Sequence, residues 1–264
     1  MKHIRTIIEK EWAEVFKNRM VLLTTVLLPL IFTALPLVML SSTRSSLPET
    51  ADSASAGIPE GFLSACEGLS GNDCMQVYMV NEFLILFMLM PIIIPITIAA
   101  YSIVGEKTTR SLEPLLATPI TTVELLAGKC LAAVLPAVGA TYLAFGLFNL
   151  GLAVLKISPG VRTYITSPTW LLAILVLGPL MAIISVNFAL LISSRVNDPR
   201  AAEQISSVII VPLMGFMLAQ MAGLVVVNLP MMLGTIAVVA VLAAGMTYLG
   251  ATVFDRETIL TRWK

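Results

Sequence analysis

The chain has 264 residues, of which 58% are hydrophobic and 12% charged, and its mean hydropathy is +0.94. Soluble domains carry about 25% charged residues, so this composition excludes an ordinary soluble globule. The sixteen basic and sixteen acidic residues cancel, which gives no sign of a nucleic-acid partner. One histidine and three cysteines are a poor inventory for metal or acid–base chemistry, so we expect no metal site and no catalytic residue.

The first segment, residues 1–20, predicts an amphipathic helix. Its apolar residues recur at helical spacing, and charged residues fill the other face. We expect this helix to lie in the membrane interface, with Trp12 at the level of the lipid headgroups. A cytosolic extension of the first span is the alternative. A signal peptide fits poorly, because the apolar stretch that follows exceeds the usual length of about 7–15 residues.

Long uncharged stretches in residues 21–254 predict six transmembrane helices. A helix needs roughly 20 apolar residues to cross the hydrocarbon. The last stretch is long enough for two helices, and we place their turn at Asn228-Leu229-Pro230 because proline disfavours helix in the residue before it. The stretches are Val21–Leu40, Phe83–Val104, Cys130–Leu155, Trp170–Ser194 and Gln204–Phe254. The sequence therefore predicts an all-α polytopic membrane protein.

The basic residues indicate the orientation of these spans. Thirteen of the sixteen fall in the N-terminal segment, the second–third and fourth–fifth connections, and the tail 255–264. The other side holds Arg44, Lys156 and Arg162. By the positive-inside rule both termini are cytoplasmic, and we expect a multi-pass protein of a prokaryotic plasma membrane.

The connection after the first span, residues 41–79, is then an external loop. It is rich in Ser, Ala, Gly and Pro and too short for a folded domain. Cys66 and Cys74 both lie in it, on the oxidising side of the membrane, where a disulfide is expected. Two free thiols are the alternative.

The predicted spans carry ionisable residues only at their edges, where side chains can reach the interface. These residues are Glu82, Glu124, Lys129, Glu203 and Asp255. Carriers driven by ion gradients generally need buried charge, and membrane-embedded enzymes need catalytic groups, so neither class is favoured. Most polar side chains within the spans should bond neighbouring helices. Asn187 and Gln220 are the better candidates for a substrate path.

The cytosolic stretch 105–124 reads GEKTTRSLEPLLATPITTVE. Ser111 can cap a short helix, which Pro119 then ends. Thr121 and Glu124 have the spacing of a capping box that starts the third span. The short helix would be marginal alone in water and would expose several leucines, so we expect a partner to cover it.

This stretch resembles the corresponding loop of ABC type-2 permeases, and its form with Arg110 is similar to sodium-export and antibiotic-export permeases. In that family the loop is a coupling helix that docks on an ATP-binding subunit. The matching positions also include Lys107, Ala117, Gly128 and Lys129. The resemblance implies ATPase-coupling roles for Glu106, Arg110, Ser111, Leu112, Glu113, Leu115, Leu116, Thr118, Pro119 and Glu124.

The resemblance also implies two permease halves, identical or different, and two copies of the ATP-binding subunit. The chain has no G-x-x-x-x-G-K-[ST] string, so ATP and Mg²⁺ are expected on that partner. The predicted function is the permease subunit of an ATP-driven exporter in the lipid bilayer. A secondary transporter or channel is the alternative, and a membrane-embedded enzyme is a more remote one. Lipids, peptides and hydrophobic drugs fit the apolar path better than sodium.

Overall fold

The computed structural model of the protein describes residues 2–46, 58–59, 62, 66, 71–108 and 121–253, and the regular elements in these ranges are all helical. In chain order they are α1 (Lys2–Val15), α2 (Arg19–Ser46), α3 (Gly71–Phe87), α4 (Met90–Thr108), α5 (Thr122–Val154), α6 (Pro159–Ile165), α7 (Pro168–Leu172), α8 (Gly178–Ser193), α9 (Pro199–Ser206), α10 (Val211–Met221) and α11 (Leu229–Val253). A π-helical segment, Ala173–Leu177, joins α7 to α8, and a 3-10 turn, Ser207–Ile210, joins α9 to α10.

Six helical stretches in these residues are long and apolar enough to cross a membrane. They are Arg19–Ser42, Asn72–Ser102, Val123–Val154, Pro159–Ser193, Pro199–Met221 and Leu229–Thr252. The predicted all-α fold with six spans is therefore confirmed. The second span is the most buried, and α5 and α8 pack directly on it, so it forms the centre of the bundle.

The ends of the first two spans differ from the prediction. α2 continues to Ser46 and α3 begins at Gly71, so both helices extend into the predicted external loop. Glu82 therefore lies in a helix that begins eleven residues before it, while its predicted position at the edge of the membrane-crossing part stays a prediction. Other helices pack around α3, so polar residues are tolerated there.

The second span is broken in its middle. α3 ends at Phe87 and α4 begins at Met90, just before Pro91. Pro91 has no N–H to donate to the carbonyl of Phe87, but in the first turn of a new helix no such donor is needed. The break precedes Pro91, while α4 continues through Pro95.

The fourth span has its own irregularity, at the π-helical segment and Pro179. Proline cannot donate to the carbonyl four residues earlier, which is that of Leu175. The hydroxyl of Tyr142 on α5 donates to this carbonyl at 3.0 Å. A Cβ at Gly178 would lie 3.9 Å from the Cγ of Pro91, so the irregular parts of the second and fourth spans are neighbours.

The turn between the last two spans covers residues 222–228. Asn228 caps α11, since its Oδ1 accepts from the N–H of Met231 at 3.0 Å. Leu229 and Pro230 are already helical, so of the predicted turn Asn228-Leu229-Pro230 only Asn228 lies in the observed turn. Gly223 has φ of +72°, and a Cβ there would lie 2.7 Å from the Cβ of Pro59. Glycine at this position therefore lets residue 59 of the connection after α2 rest on the turn.

Candidate functional site

The N-terminal helix α1 packs on the start of α5 through a close contact at Gly128. A Cβ on this residue would be 2.7 Å from the Cγ2 of Ile7, so only glycine allows the approach. Trp12 donates from Nε1 to the carbonyl of Ala132 at 2.9 Å. The indole is thus bonded to α5, while the expected position of α1 in the membrane interface stays a prediction.

A buried ion pair reinforces this junction. Lys129 Nζ lies 2.7 Å from Glu11 Oε1 and 2.9 Å from the hydroxyl of Ser102. The side chains of Lys129 and Glu11 are only 4% and 3% exposed. We predicted that Lys129 would reach the interface; that prediction is wrong, because α1 supplies a buried counter-charge. The contact joins α5, α1 and α4, and we call it the α1 clamp.

The predicted coupling segment begins and ends beside the α1 clamp. α4 ends at Thr108, and the capping box that starts α5 is confirmed: Glu124 N–H donates to Thr121 Oγ1 at 3.3 Å, and Thr121 N–H donates to Glu124 Oε2 at 3.1 Å. Residues 109–120 lie outside the described residues, as does the side chain of Glu106. The predicted residues concerned are Arg110, Ser111, Leu112, Glu113, Leu115, Leu116, Thr118 and Pro119. Their coupling role stays a prediction.

The two substrate-path candidates have different surroundings. Asn187 donates from Nδ2 to the carbonyl of Ile183 at 2.8 Å and to Thr247 Oγ1 at 3.3 Å, which joins α8 to α11. Gln220 on α10 is 2% exposed, yet neither its Oε1 nor its Nε2 has a hydrogen-bond partner among the described residues. Asn187 thus has the contacts of a packing residue, and Gln220 has unused hydrogen-bonding capacity.

The described part of the connection after α2 covers one end of the bundle, which we call the loop end. Cys66 and Cys74 form a disulfide there, with a Cα–Cα distance of 5.2 Å. Phe62 packs edge-on against Tyr78 of α3, with ring centroids 5.2 Å apart. These contacts hold the connection against the start of the second span.

A cavity of about 390 Å³ lies between the second, fourth, fifth and sixth spans. The wall contains residues from all four spans, for example, in the order of the spans, Ile85, Trp170, Phe216 and Val239. The wall is almost entirely apolar. We call this space the membrane cavity. Its volume lies within the usual range for ligand pockets, about 300–1,000 Å³.

The model of a family described as ABC-2 family transporter protein matches residues 5–234 of the chain. The chain belongs to this family. It is thus a multi-pass membrane component of the permease type, and such permeases generally work with an ABC ATP-binding subunit. A comparison with curated proteins gave no match.

Several residues at the loop end of the permease were not predicted as site residues. Asn81 is fully buried: its Oδ1 accepts from the hydroxyl of Tyr164 at 2.7 Å, and its Nδ2 finds no partner in the described ranges. The two carboxylate oxygens of Glu82 are also buried and unpartnered within the described part of the permease. The signal in the sequence was the adjacent pair Asn81-Glu82 just before an uncharged run, which we interpreted as the edge of a span.

Proposed function

We propose that this permease is the membrane subunit of an ATP-driven exporter, coupled to a separate ATP-binding subunit through residues 105–124. The α1 clamp is the observation that carries the proposal. Glu11, Ser102 and Lys129 tie α1 to the two helices that enter and leave the coupling segment. A displacement of this segment would therefore move α1, α4 and α5 together, which is what transmission from a docked ATPase requires.

The assembly that fits this proposal contains two permease subunits, as a homodimer or heterodimer, and two ATP-binding subunits that hold ATP and Mg²⁺. The permease itself supplies the substrate path and no catalytic group. The basic residues support cytoplasmic termini and an external loop end in a prokaryotic plasma membrane. In this orientation the coupling segment faces the ATPase.

A secondary transporter is the second candidate, and Glu82 favours it. The sequence argued against this class because its spans seemed to lack buried charge. The carboxylate of Glu82 is buried within the helix bundle, and buried acidic groups in transporters often serve coupling to protons or cations. Transport by the purified permease driven by an ion gradient without any ATPase would favour this candidate.

The test of the proposal is association with the ATP-binding subunit. Leu115→Asp or Leu116→Asp places a charge on the apolar surface expected to dock, so each should abolish co-purification of the ATPase and substrate-stimulated ATP hydrolysis in proteoliposomes. Leu224→Asp is the matched control, because Leu224 is 79% exposed at the opposite end of the bundle. Full association of both coupling-segment variants would disprove the assignment.

A further inference from the structure

The membrane cavity offers no free polar group along its walls. Its two hydroxyl-bearing residues, Ser185 and Thr235, donate to carbonyls of their own helices: Ser185 Oγ to Met181 at 2.7 Å and Thr235 Oγ1 to Met231 at 2.9 Å. A polar ligand group placed there would lose its hydrogen bonds to water and gain none. The cavity therefore suits the apolar part of a ligand.

Unsatisfied polar groups stand one helical turn beyond this apolar wall, toward the loop end. Gln220 lies on the same face of α10 as the wall residues Leu213 and Phe216, one turn after Phe216. Asn81 lies on α3 one turn before the wall residue Ile85. The α3 and α10 helices touch, so both side chains lie at the same end of the cavity.

These groups are costly to leave without partners, since buried polar atoms are nearly always hydrogen-bonded. The side-chain amide of Gln220 and the Nδ2 of Asn81 find no partner among the residues described. Glu82 follows Asn81 in the same turn of α3, and its buried carboxylate also has no hydrogen-bond partner among the described residues. A ligand head with several donors would satisfy the carboxylate and the amide oxygen of Gln220.

We infer that the membrane cavity and this polar end form one binding site for an amphiphile with an apolar body and a primary amine head. An ammonium head has three donors and no acceptor, which suits the carboxylate oxygens of Glu82 and the Oε1 of Gln220; the N–H groups of Asn81 and Gln220 make no bond to it. An anionic head would meet Glu82 instead. The inference deepens the proposed function, on which it rests, by naming the substrate class.

The amine head group is tested by measuring how tritiated dodecylamine binds to the purified permease in lipid nanodiscs. Dodecanol and dodecyl sulfate are added as competitors. The three compounds share one tail, so their differences report the head. Charge-assisted hydrogen bonds should make the amine bind about ten- to a hundred-fold more tightly than the other two. Glu82→Gln should remove this preference, so that the amine binds no more tightly than dodecanol. Equal affinities for the three in the unaltered permease, or a preference for dodecyl sulfate, would overturn the amine assignment.

The test of the apolar part uses two neighbouring valines on α11. Val239 lines the cavity and is 6% exposed, whereas Val238 is 61% exposed and faces away from it. Val239→Phe fills the cavity and should weaken binding of the whole dodecyl series by about ten-fold or more. Val238→Phe should leave it unchanged. Equal binding by the two variants would show that the ligand sits elsewhere.

A second measurement covers the case in which Val239→Phe does not fold. In a Cys130→Ser background, a thiol at Thr235 lies in the cavity wall, and one at Val238 outside it. Dodecylamine should slow maleimide labelling of Thr235→Cys and not of Val238→Cys, and equal protection of both would disprove the site. These assays contain no ATP-binding subunit. Failure of ATPase association would therefore disprove the proposed function without affecting the binding result. Failure of dodecylamine binding would disprove the ligand site without affecting the proposed association with the ATPase.

Discussion

The α1 clamp gives the sharpest prediction about stability. Glu11→Gln keeps the shape of the side chain and removes its charge, which leaves Lys129 buried without its carboxylate. At 2.7 Å and an effective dielectric constant of about 20, the direct attraction is roughly 6 kcal/mol. Desolvation offsets much of this, and breaking a buried pair costs about 3–5 kcal/mol in practice. We expect this cost to appear as detachment of α1.

Hydrogen exchange followed by mass spectrometry measures such local detachment. In Glu11→Gln, the lost stabilisation of about 3–5 kcal/mol should raise the exchange rate of the α1 amides roughly a hundred- to several-thousand-fold. The exposed pair Arg5–Glu9 on the same helix is the control, and Glu9→Gln should change the rate only about two-fold. The double variant Glu11→Leu with Lys129→Met should restore most of the protection, because an apolar pair of similar volume carries no desolvation penalty. Unchanged exchange in Glu11→Gln would refute the reasoning.

Three further predictions concern orientation, the disulfide and the fourth span. In a Cys130→Ser background, a single cysteine at Ser158 should react with an impermeant thiol reagent from outside the cell and one at Asn197 should not; the opposite pattern would reverse the orientation. Intact-mass analysis after alkylation should find Cys66 and Cys74 unmodified until reductant is added, and closing a loop of this separation should stabilise the connection by about 2–3 kcal/mol. Tyr142→Phe should destabilise the permease by about 1 kcal/mol, because the carbonyl of Leu175 in the fourth span loses its donor. An unchanged unfolding midpoint would contradict this expectation.

Local features of the fold could be predicted from the sequence. The capping box of Thr121 and Glu124 depends on residues three apart, so their identity and spacing were sufficient. The number of spans follows from the length of the apolar stretches, because the hydrocarbon thickness sets the minimum for each.

The contacts that build the candidate site could not be predicted in this way. Glu11 and Lys129 are 118 positions apart, and only the packing of α1 on α5 brings their charges together. Hydropathy assumes that lipid surrounds each helix, so it could not indicate that the carboxylate of Glu82 is buried among other helices. Gln220 was chosen for its polarity alone, and its relation to the membrane cavity depends on helices from four spans.

The interruption of the second span at Met88 and Leu89 also bears on how such a permease can evolve. The half before the interruption, α3, carries Asn81 and Glu82, while the half after it, α4, leads into the segment expected to meet the ATPase. A continuous helix would transmit every change of tilt or rotation from one half to the other. The backbone N–H groups of Met88 and Leu89 reach only three residues back, so the regular helical pattern changes here, and we expect substitutions in α3 to alter ligand preference with little rotation of α4. Related permeases could therefore diverge in the substrate that they bind while they keep the same ATP-binding subunit.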